Sequence, residues 1–377
     1  MRYSTAFART TPPKRRTKWI FFVLLSVILL GATIAVTTPG REATAFSFAA
    51  SIDTMKASRD TQTHPLSQGE ITAIVQASAK LNVNYITVDT NWDYPDYIQQ
   101  WVTAIRAVGL HVWFRGHPNK WENNNGASGL MTPTEYATVE QRFITAHPAF
   151  FRSGDIFDAC PEPEQGNYWK ATYGEQWTSN APNTATRDYN AFIRATTDVA
   201  DHALRNLGIA GVTTTIRSTN SFFASHADVF EQATADRLGQ ITIDSYPEKG
   251  TTDPAVAAQA RVEELDTIER LWHLPIVIGE MGYSNQMEVD DATQQAVLKA
   301  EFDAIRPLPY LAGVNYWVGA GSNSAGGYTY ILKKTDDLWS PRLAARELST
   351  FYQTKLQQET TQPQCSRAVS FSVLKPC

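Results

Sequence analysis

Residues 241–280 read ITIDSYPEKGTTDPAVAAQARVEELDTIERLWHLPIVIGE. A short apolar run, Ile241–Tyr246, gives way to a long amphipathic stretch, Ala255–Leu271, and then to a second apolar run, Ile276–Glu280. Short runs rich in β-branched residues, with no polar alternation, are what strands buried on both faces look like. A strand, a helix and another strand in this order imply parallel strands joined by a right-handed crossover.

The same rhythm extends in both directions. Upstream, the apolar runs are Phe46–Ile52, Tyr85–Asp89, His111–Arg115, Ile156–Cys160 and Val212–Arg217; downstream lies Val314–Trp317. Between them fall helical stretches, Glu70–Leu81, Tyr97–Val108, Glu135–Thr145, Asp188–Leu207 and Ala227–Leu238, and then Ala292–Ile305 and Pro341–Leu356. Ser340 is a natural N-cap for the last of these, with Pro341 at its first position. Eight strands alternating strictly with eight helices predict an α/β fold, a closed (β/α)8 TIM barrel forming one domain over residues 46–357. An open doubly wound sheet is the competing architecture, but no G-x-G-x-x-G or G-x-x-x-x-G-K-[ST] loop follows any strand.

Composition narrows the function. Of 377 residues, 43% are hydrophobic and 19% charged, which excludes a disordered chain. Thirty-three basic residues against 38 acidic ones leave a net charge of −5, so no nucleic-acid partner is expected. Ten Trp and fifteen Tyr are natural platforms for flat, amphipathic ligands. Three cysteines, Cys160, Cys365 and Cys377, are too few for a disulfide scaffold.

At the N-terminus, Lys14, Arg15, Arg16 and Lys18 precede an uncharged run from Trp19 to Val36. This pattern divides the leader into a cytoplasmic basic region (1–18), a transmembrane or signal segment (19–36) and a linker (37–45). Two readings stay open: an uncleaved signal anchor, or a signal peptide cut at Ala43-Thr44-Ala45. Either places the remainder outside the cytoplasm, membrane-anchored or secreted. There an oxidised Cys365–Cys377 pair in the C-terminal tail (358–377) is plausible, with Cys160 left over.

In a (β/α)8 barrel the chemistry sits at the C-terminal ends of the strands and in the loops that follow. Strands 1 and 2 end near Asp53 and Asp89, the latter followed by Asn91 and Trp92. Strand 3 ends at Arg115 and His117, with Trp121 and Glu122 beyond. Strand 4 ends Cys160-Pro161-Glu162-Pro163-Glu164. Strand 5 gives Arg217, strand 6 Asp244 and Tyr246, strand 7 Glu280, and strand 8 Asn315 and Trp317. Carboxylates, arginines and aromatics around one mouth suit a neutral, hydroxyl-rich sugar. Glu162 and Glu280 end strands on opposite sides of that mouth. Glycoside hydrolysis needs such a pair, one carboxyl to protonate the leaving oxygen and one to attack or activate water. Glu164 is an alternative to Glu162 for the first role.

On these residues the chain resembles the clan A glycoside hydrolases, which include the family 5 cellulases and mannanases. That pattern ends strand 4 with Asn-Glu-Pro, where this chain has Pro161-Glu162-Pro163, and ends strand 7 with a nucleophilic Glu, here Glu280. A Tyr after strand 6 matches Tyr246, and a Trp ending strand 8 matches Trp317. Two departures place the chain in the clan and outside family 5: Pro161 stands for the Asn, and Asp244 stands where His is common. The resemblance spans residues 46–357 and implies retaining hydrolysis of β-linked glycans, with no cofactor or metal. It makes Glu280 the nucleophile, Tyr246 its orienting partner and Glu162 the acid/base. Substrate would stack on Trp317, Trp92 and Trp121 and bind through Arg115, His117 and Asn315, with Asp244 and Arg217 beside them. Trp113 reads as core, while Trp169 and Trp177 are candidate floors for leaving-group subsites. The alternative is a catalytically degenerate barrel that binds carbohydrate at the cell surface. A metal-dependent barrel is disfavoured because no H-x-H or H-E-x-x-H occurs. The lack of a G-x-S-x-G elbow disfavours a serine hydrolase.

Overall fold

The computed structural model describes residues 47–121, 130–247, 250–283, 290–321, 329–335 and 338–361. In the first half the elements are β1 (Ala49–Asp53), α1 (Met55–Ser58), α2 (Gln68–Ala79), β2 (Tyr85–Val88), α3 (Pro95–Ala107), β3 (His111–Phe114), α4 (Pro133–Ala146), β4 (Ile156–Pro161) and α5 (Asn167–Tyr173). There follow α6 (Thr184–Asn206), β5 (Thr213–Arg217), α7 (Phe222–Ser225), α8 (Gln232–Leu238), β6 (Ile241–Asp244), α9 (Pro254–Trp272) and β7 (Ile276–Met281). The chain continues through α10 (Asp291–Ile305), β8 (Leu311–Tyr316), β9 (Leu332–Thr335), β10 (Leu338–Pro341) and α11 (Ala344–Thr361).

Strands β1 to β8 form one sheet in the order β5-β4-β3-β2-β1-β8-β7-β6. The first and last strands in sequence, β1 and β8, pair in parallel, so the sheet has curled round on itself. The remaining gap, between β5 and β6, is bridged just past β5: Ser218 N–H donates to Thr242 O at 3.0 Å and Asp244 N–H to Ser218 O at 2.8 Å. The result is the expected (β/α)8 barrel. Tyr352 of α11 fastens the β1–β8 junction, its hydroxyl reaching Ser51 O at 2.6 Å and Val314 O at 3.0 Å.

Period-two alternation sorts the strand residues onto two faces. The outward set, including Ile52, Ile86, Val112, Phe157, Ile216, Ile243 and Ile278, belongs to the large apolar cluster shared with the helices. The inward set changes character with height. At the bottom Ala49, Tyr85, Trp113, Ile156 and Val277 pack together, so Trp113 is core. One layer up are hydroxyls and an amide: Ser51 to Thr87 at 2.9 Å, Thr87 to Asn315 at 2.9 Å, and Thr215 to Thr242 at 3.1 Å. Above them come the charged side chains of Asp53, Asp89, Arg115, Asp158, Arg217 and Asp244, all buried. Charge therefore collects at the C-terminal mouth.

Several helix starts are fixed by capping side chains. Ser67 and Glu70 form a capping box on α2, and Thr132 and Glu135 another on α4. Two local expectations are corrected. The stretch read as one helix, Ala227–Leu238, begins in the connection after α7 and becomes helical as α8. The last helix starts at Ala344, because Ser340 and Pro341 belong to β10, which pairs antiparallel with β9. Pro341 is tolerated there because a two-stranded ribbon leaves its missing N–H facing outward.

The N-terminal run 19–36, and Cys365 and Cys377 in the tail, lie outside the described residues. Among the described residues no helix is long and apolar enough to cross a membrane. The expected membrane-anchored, extracytoplasmic placement is corrected on this point: no described helix can serve as the anchor.

Candidate active site

Glu280 owes its direction to a bulge. Ile278 of β7 pairs with Ile243 of β6, yet the next pair is Glu280 with Asp244, so Gly279 is an extra residue in the strand. Bulges re-aim the side chains beside them. Here Gly279 also makes room: a Cβ on it would stand 2.5 Å from Cδ of Arg217. Glu280 turns into the mouth, where Oε1 accepts from Arg115 Nη2 and lies 3.6 Å from Arg217 Nη1. Its Oε2 accepts from the Tyr246 hydroxyl at 3.4 Å.

The arginines organise everything else at this level. Arg115 is 1% exposed and donates to Asp53, with its Nε 3.2 Å from Asp89. Arg217, also 1% exposed, donates to Asp244 and lies 3.8 Å from Asp158 and 3.9 Å from Glu162 Oε2. Burial alone would depress the Arg115 guanidinium, but Asp53, Glu280 and Asp89 hold its pKa well above the ordinary value. Burial and Arg115 likewise oppose Arg217, and Asp244, Glu162 and Glu280 prevail. Burial raises the Glu280 carboxyl above its ordinary value, with Arg115 and Arg217 pulling the other way. Burial also pushes Asp158 up to about 6 and Asp244 well above a normal carboxylate, against the pull of Arg217 in each case.

Glu162 follows β4 in a left-handed conformation, φ 44° and ψ 58°, which is uncommon for a residue with a side chain. Its N–H donates to Arg217 O at 2.6 Å, and its carbonyl accepts from Gln165 N–H at 2.9 Å. Its Oε1 accepts from the Thr219 hydroxyl at 2.6 Å. Glu164, two residues on, points into the wall: it accepts from Tyr189 OH at 2.6 Å, Ser218 Oγ at 2.8 Å and Thr219 N–H at 3.2 Å. Burial pushes its carboxyl up to about 7 despite these donors. Of the two glutamates, Glu162 is the one that shares Arg217 with Glu280.

On the β8 side, Trp317 stands perpendicular to Tyr246, with ring centroids 6.5 Å apart. Its Nε1–H points at Met55 Sδ, 3.3 Å away, and Lys56 Nζ lies 5.8 Å from its ring centroid. Burial, with Glu280 and Asp244 nearby, raises the Tyr246 phenol well above its ordinary value, so it stays a hydrogen-bond donor.

Several expected substrate contacts are corrected. Trp92 is stacked on Phe143 at 5.2 Å and on Phe157 at 6.0 Å, in the layer between sheet and helices. Trp121 is 1% exposed, packed on Tyr136 at 4.8 Å and Phe192 at 4.9 Å. Neither ring offers a face to a sugar, and Trp169, fully buried, does not either. Asn315 is used up inside the barrel: it donates to Asp53 and to Gly279 O and accepts from Thr87. Arg115, Arg217 and Asp244 are buried, with Arg115 donating to Asp53 and Glu280 and Arg217 donating to Asp244. His117 is buried, its Nδ1 2.9 Å from Pro118 O and its Nε2 3.4 Å from Arg59 Nη1. Glu122 lies outside the described residues. Thr219 and Met55 escaped the sequence reading, although both follow strand ends by two residues, which is the available signal. Among the described residues no group of three or more His, Cys, Asp or Glu is placed to hold a metal ion.

The closed eight-stranded barrel defines a (β/α)8 protein. Solved structures agree on the fold. GH5_18 from Streptomyces cattleya in complex with GlcNAc matches with a TM-score of 0.61 at 14% identity, over 85% of this chain and 82% of that one. GH5_18 from Bifidobacterium longum subsp. longum, in complex with Manb1-4GlcNAc, gives 0.59 at 13%, over 84% and 79%. The β-D-glucuronidase of Dictyoglomus thermophilum gives 0.55 at 12%, over 82% of this chain and 50% of that one, so the chain spans about half of that enzyme. No family model matches the chain, and no curated protein matches it in sequence.

Proposed function

We propose that the protein is a retaining glycoside hydrolase acting on β-linked glycans. The observation that carries this reading is the placement of Glu162 and Glu280 on either side of one guanidinium, Arg217, at the mouth of the barrel. The sugars bound by GH5_18 on the same fold add support.

Glu280 Oε1 is held by Arg115, whereas Oε2 carries only the long bond from Tyr246, which leaves Oε2 free to attack the anomeric carbon. As the C1–O bond to Glu280 forms, the glycosidic C1–O bond breaks and Glu162 delivers its proton to the departing oxygen. In the second step Glu162 takes a proton from water, the water oxygen bonds to C1, and Glu280 leaves. Two inversions at C1 give net retention. Trp317, facing Tyr246 at the mouth, is the ring placed to lie against the sugar being cleaved.

The test is reducing-end release from a panel of β-glucans, β-mannans and β-linked GlcNAc oligosaccharides, with the first-formed anomer followed by proton NMR. The reading requires wild type to release a β-anomer and Glu280→Gln to lose that activity. Equal behaviour of the two proteins on every glycan bound would leave a binding protein without hydrolysis.

A further inference from the structure

Thr219 belongs to none of the motifs that point to the site, yet it holds the Glu162 carboxylate directly. Its hydroxyl donates to Glu162 Oε1 at 2.6 Å. The hydroxyl is itself directed, since Gln165 Nε2 donates to it at 3.3 Å and so occupies a lone pair and turns its hydrogen toward Glu162. Its backbone is pinned too, with N–H on the Glu164 carboxylate at 3.2 Å, and Glu164 in turn held by Tyr189 and Ser218. The wall of the barrel thus fixes Thr219 from two directions. With Oε1 tied to that wall, Oε2 is the oxygen of Glu162 that faces Arg217 and, beyond it, Glu280.

We infer that Thr219 is the positioning residue of the acid/base: it anchors Glu162 Oε1 so that Oε2 carries the proton to the leaving oxygen and takes it back from water. This rests on the hydrolase reading given above. It also gives Glu164 a task, as the buried anchor of Thr219.

The test compares Thr219→Val, which keeps the shape and removes the donor, with Thr219→Ser, which keeps the donor. Both are assayed on 2,4-dinitrophenyl and phenyl β-glycosides of whichever sugar the wild type cleaves. Thr219→Val should lose roughly tenfold in kcat/KM on the phenyl glycoside, the size of one hydrogen bond to a charged group. It should lose little in the first step with the dinitrophenyl leaving group, which departs without a proton. Thr219→Ser should stay within about threefold of wild type, since it keeps the donor. Gln165→Leu, at an exposed position, should show the same leaving-group dependence with a smaller loss on the phenyl glycoside, and it decides the matter if Thr219→Val does not fold. Equal losses on both leaving groups, or a serine variant as impaired as the valine one, would overturn the role of Thr219 alone. A wild type that cleaves no glycoside would overturn this role together with the hydrolase reading.

Discussion

Arg217 lies with Nη1 3.6 Å from Glu280 Oε1, close enough to steer the carboxylate and too far for a hydrogen bond of ordinary length. Its stem crosses the bulge at Gly279; the same Nη1 donates to Asp244, while Nε faces Asp158 and Nη2 faces Glu162. The guanidinium is thus an electrostatic spacer between two carboxyls that would otherwise repel each other at low dielectric.

Removing that charge should therefore hurt twice. Arg217→Gln strands Asp244 as a buried acid and leaves Glu280 to Arg115 alone, and breaking a buried pair in this way costs about 3–5 kcal/mol. Urea unfolding should show the loss of stability. The acid limb of kcat/KM should move to higher pH, because Glu280 loses one of the two cations that favour its ionised form.

In the wild type, burial already raises Glu280 above an ordinary carboxylate. A carboxyl acting as nucleophile, the role proposed for Glu280, is active only when ionised. Activity should accordingly be full above its raised value and fall as pH drops through it, so the acid limb should lie above the roughly 4.3 of a free glutamate side chain. A pH profile of kcat/KM with its acid limb at or below that value would contradict the electrostatics described here.

Glu164 gives a pH effect on folding in the opposite sense to a salt-bridged acid. Its folded-state value, pushed up to about 7 by burial, exceeds that of the unfolded chain. The folded state holds this proton more tightly, so the favourable contribution is complete below the unfolded value and is lost as pH rises to about 7. The swing is on the order of 3 kcal/mol. Glu164→Gln should flatten that part of the stability profile, leaving the variant more stable than wild type at pH 8 and little changed at pH 4.

Gly279→Ala tests the bulge. The added methyl would meet Arg217 Cδ at 2.5 Å and Cγ at 2.7 Å, both held by buried ion pairs and unable to retreat cheaply. Overpacking of this kind costs typically about 1–3 kcal/mol. Because the displaced side chain is Arg217, kcat should fall along with the melting temperature, whereas Gly174→Ala, strained by its φ of 90° but with nothing within 4 Å of the added Cβ, should lower the melting temperature and leave kcat unchanged.

Barrel and carboxyl pair were legible in the sequence for one reason: both depend on strand-end position, which apolar runs mark directly. Ile276–Ile278 followed by Gly279 and Glu280 announces a buried strand that delivers a charge at its tip. What could not be read is which way a loop residue turns. Trp92 and Trp121 sit beside strand ends in sequence, yet both rotate outward into the sheet–helix layer, where large rings bury more apolar area than a mouth offers. Asn315 is in the right strand but one layer too deep. The left-handed turn at Glu162 sends Glu164 into the wall, and nothing in Pro161-Glu162-Pro163-Glu164 signals it. Thr219, a common residue in a connection, is marked only by lying two residues past the end of β5.

The central claim is that Glu280 attacks carbon. The most direct measurement is trapping with a panel of 2-deoxy-2-fluoro-β-glycosyl fluorides, matched to the sugar that wild type releases, followed by mass spectrometry of the protease-digested protein. The account predicts a single added glycosyl group on the peptide bearing Glu280, slowed turnover as it accumulates, and no label on Glu280→Gln. Label on Glu162 or Glu164, or undiminished labelling of Glu280→Gln, would contradict it.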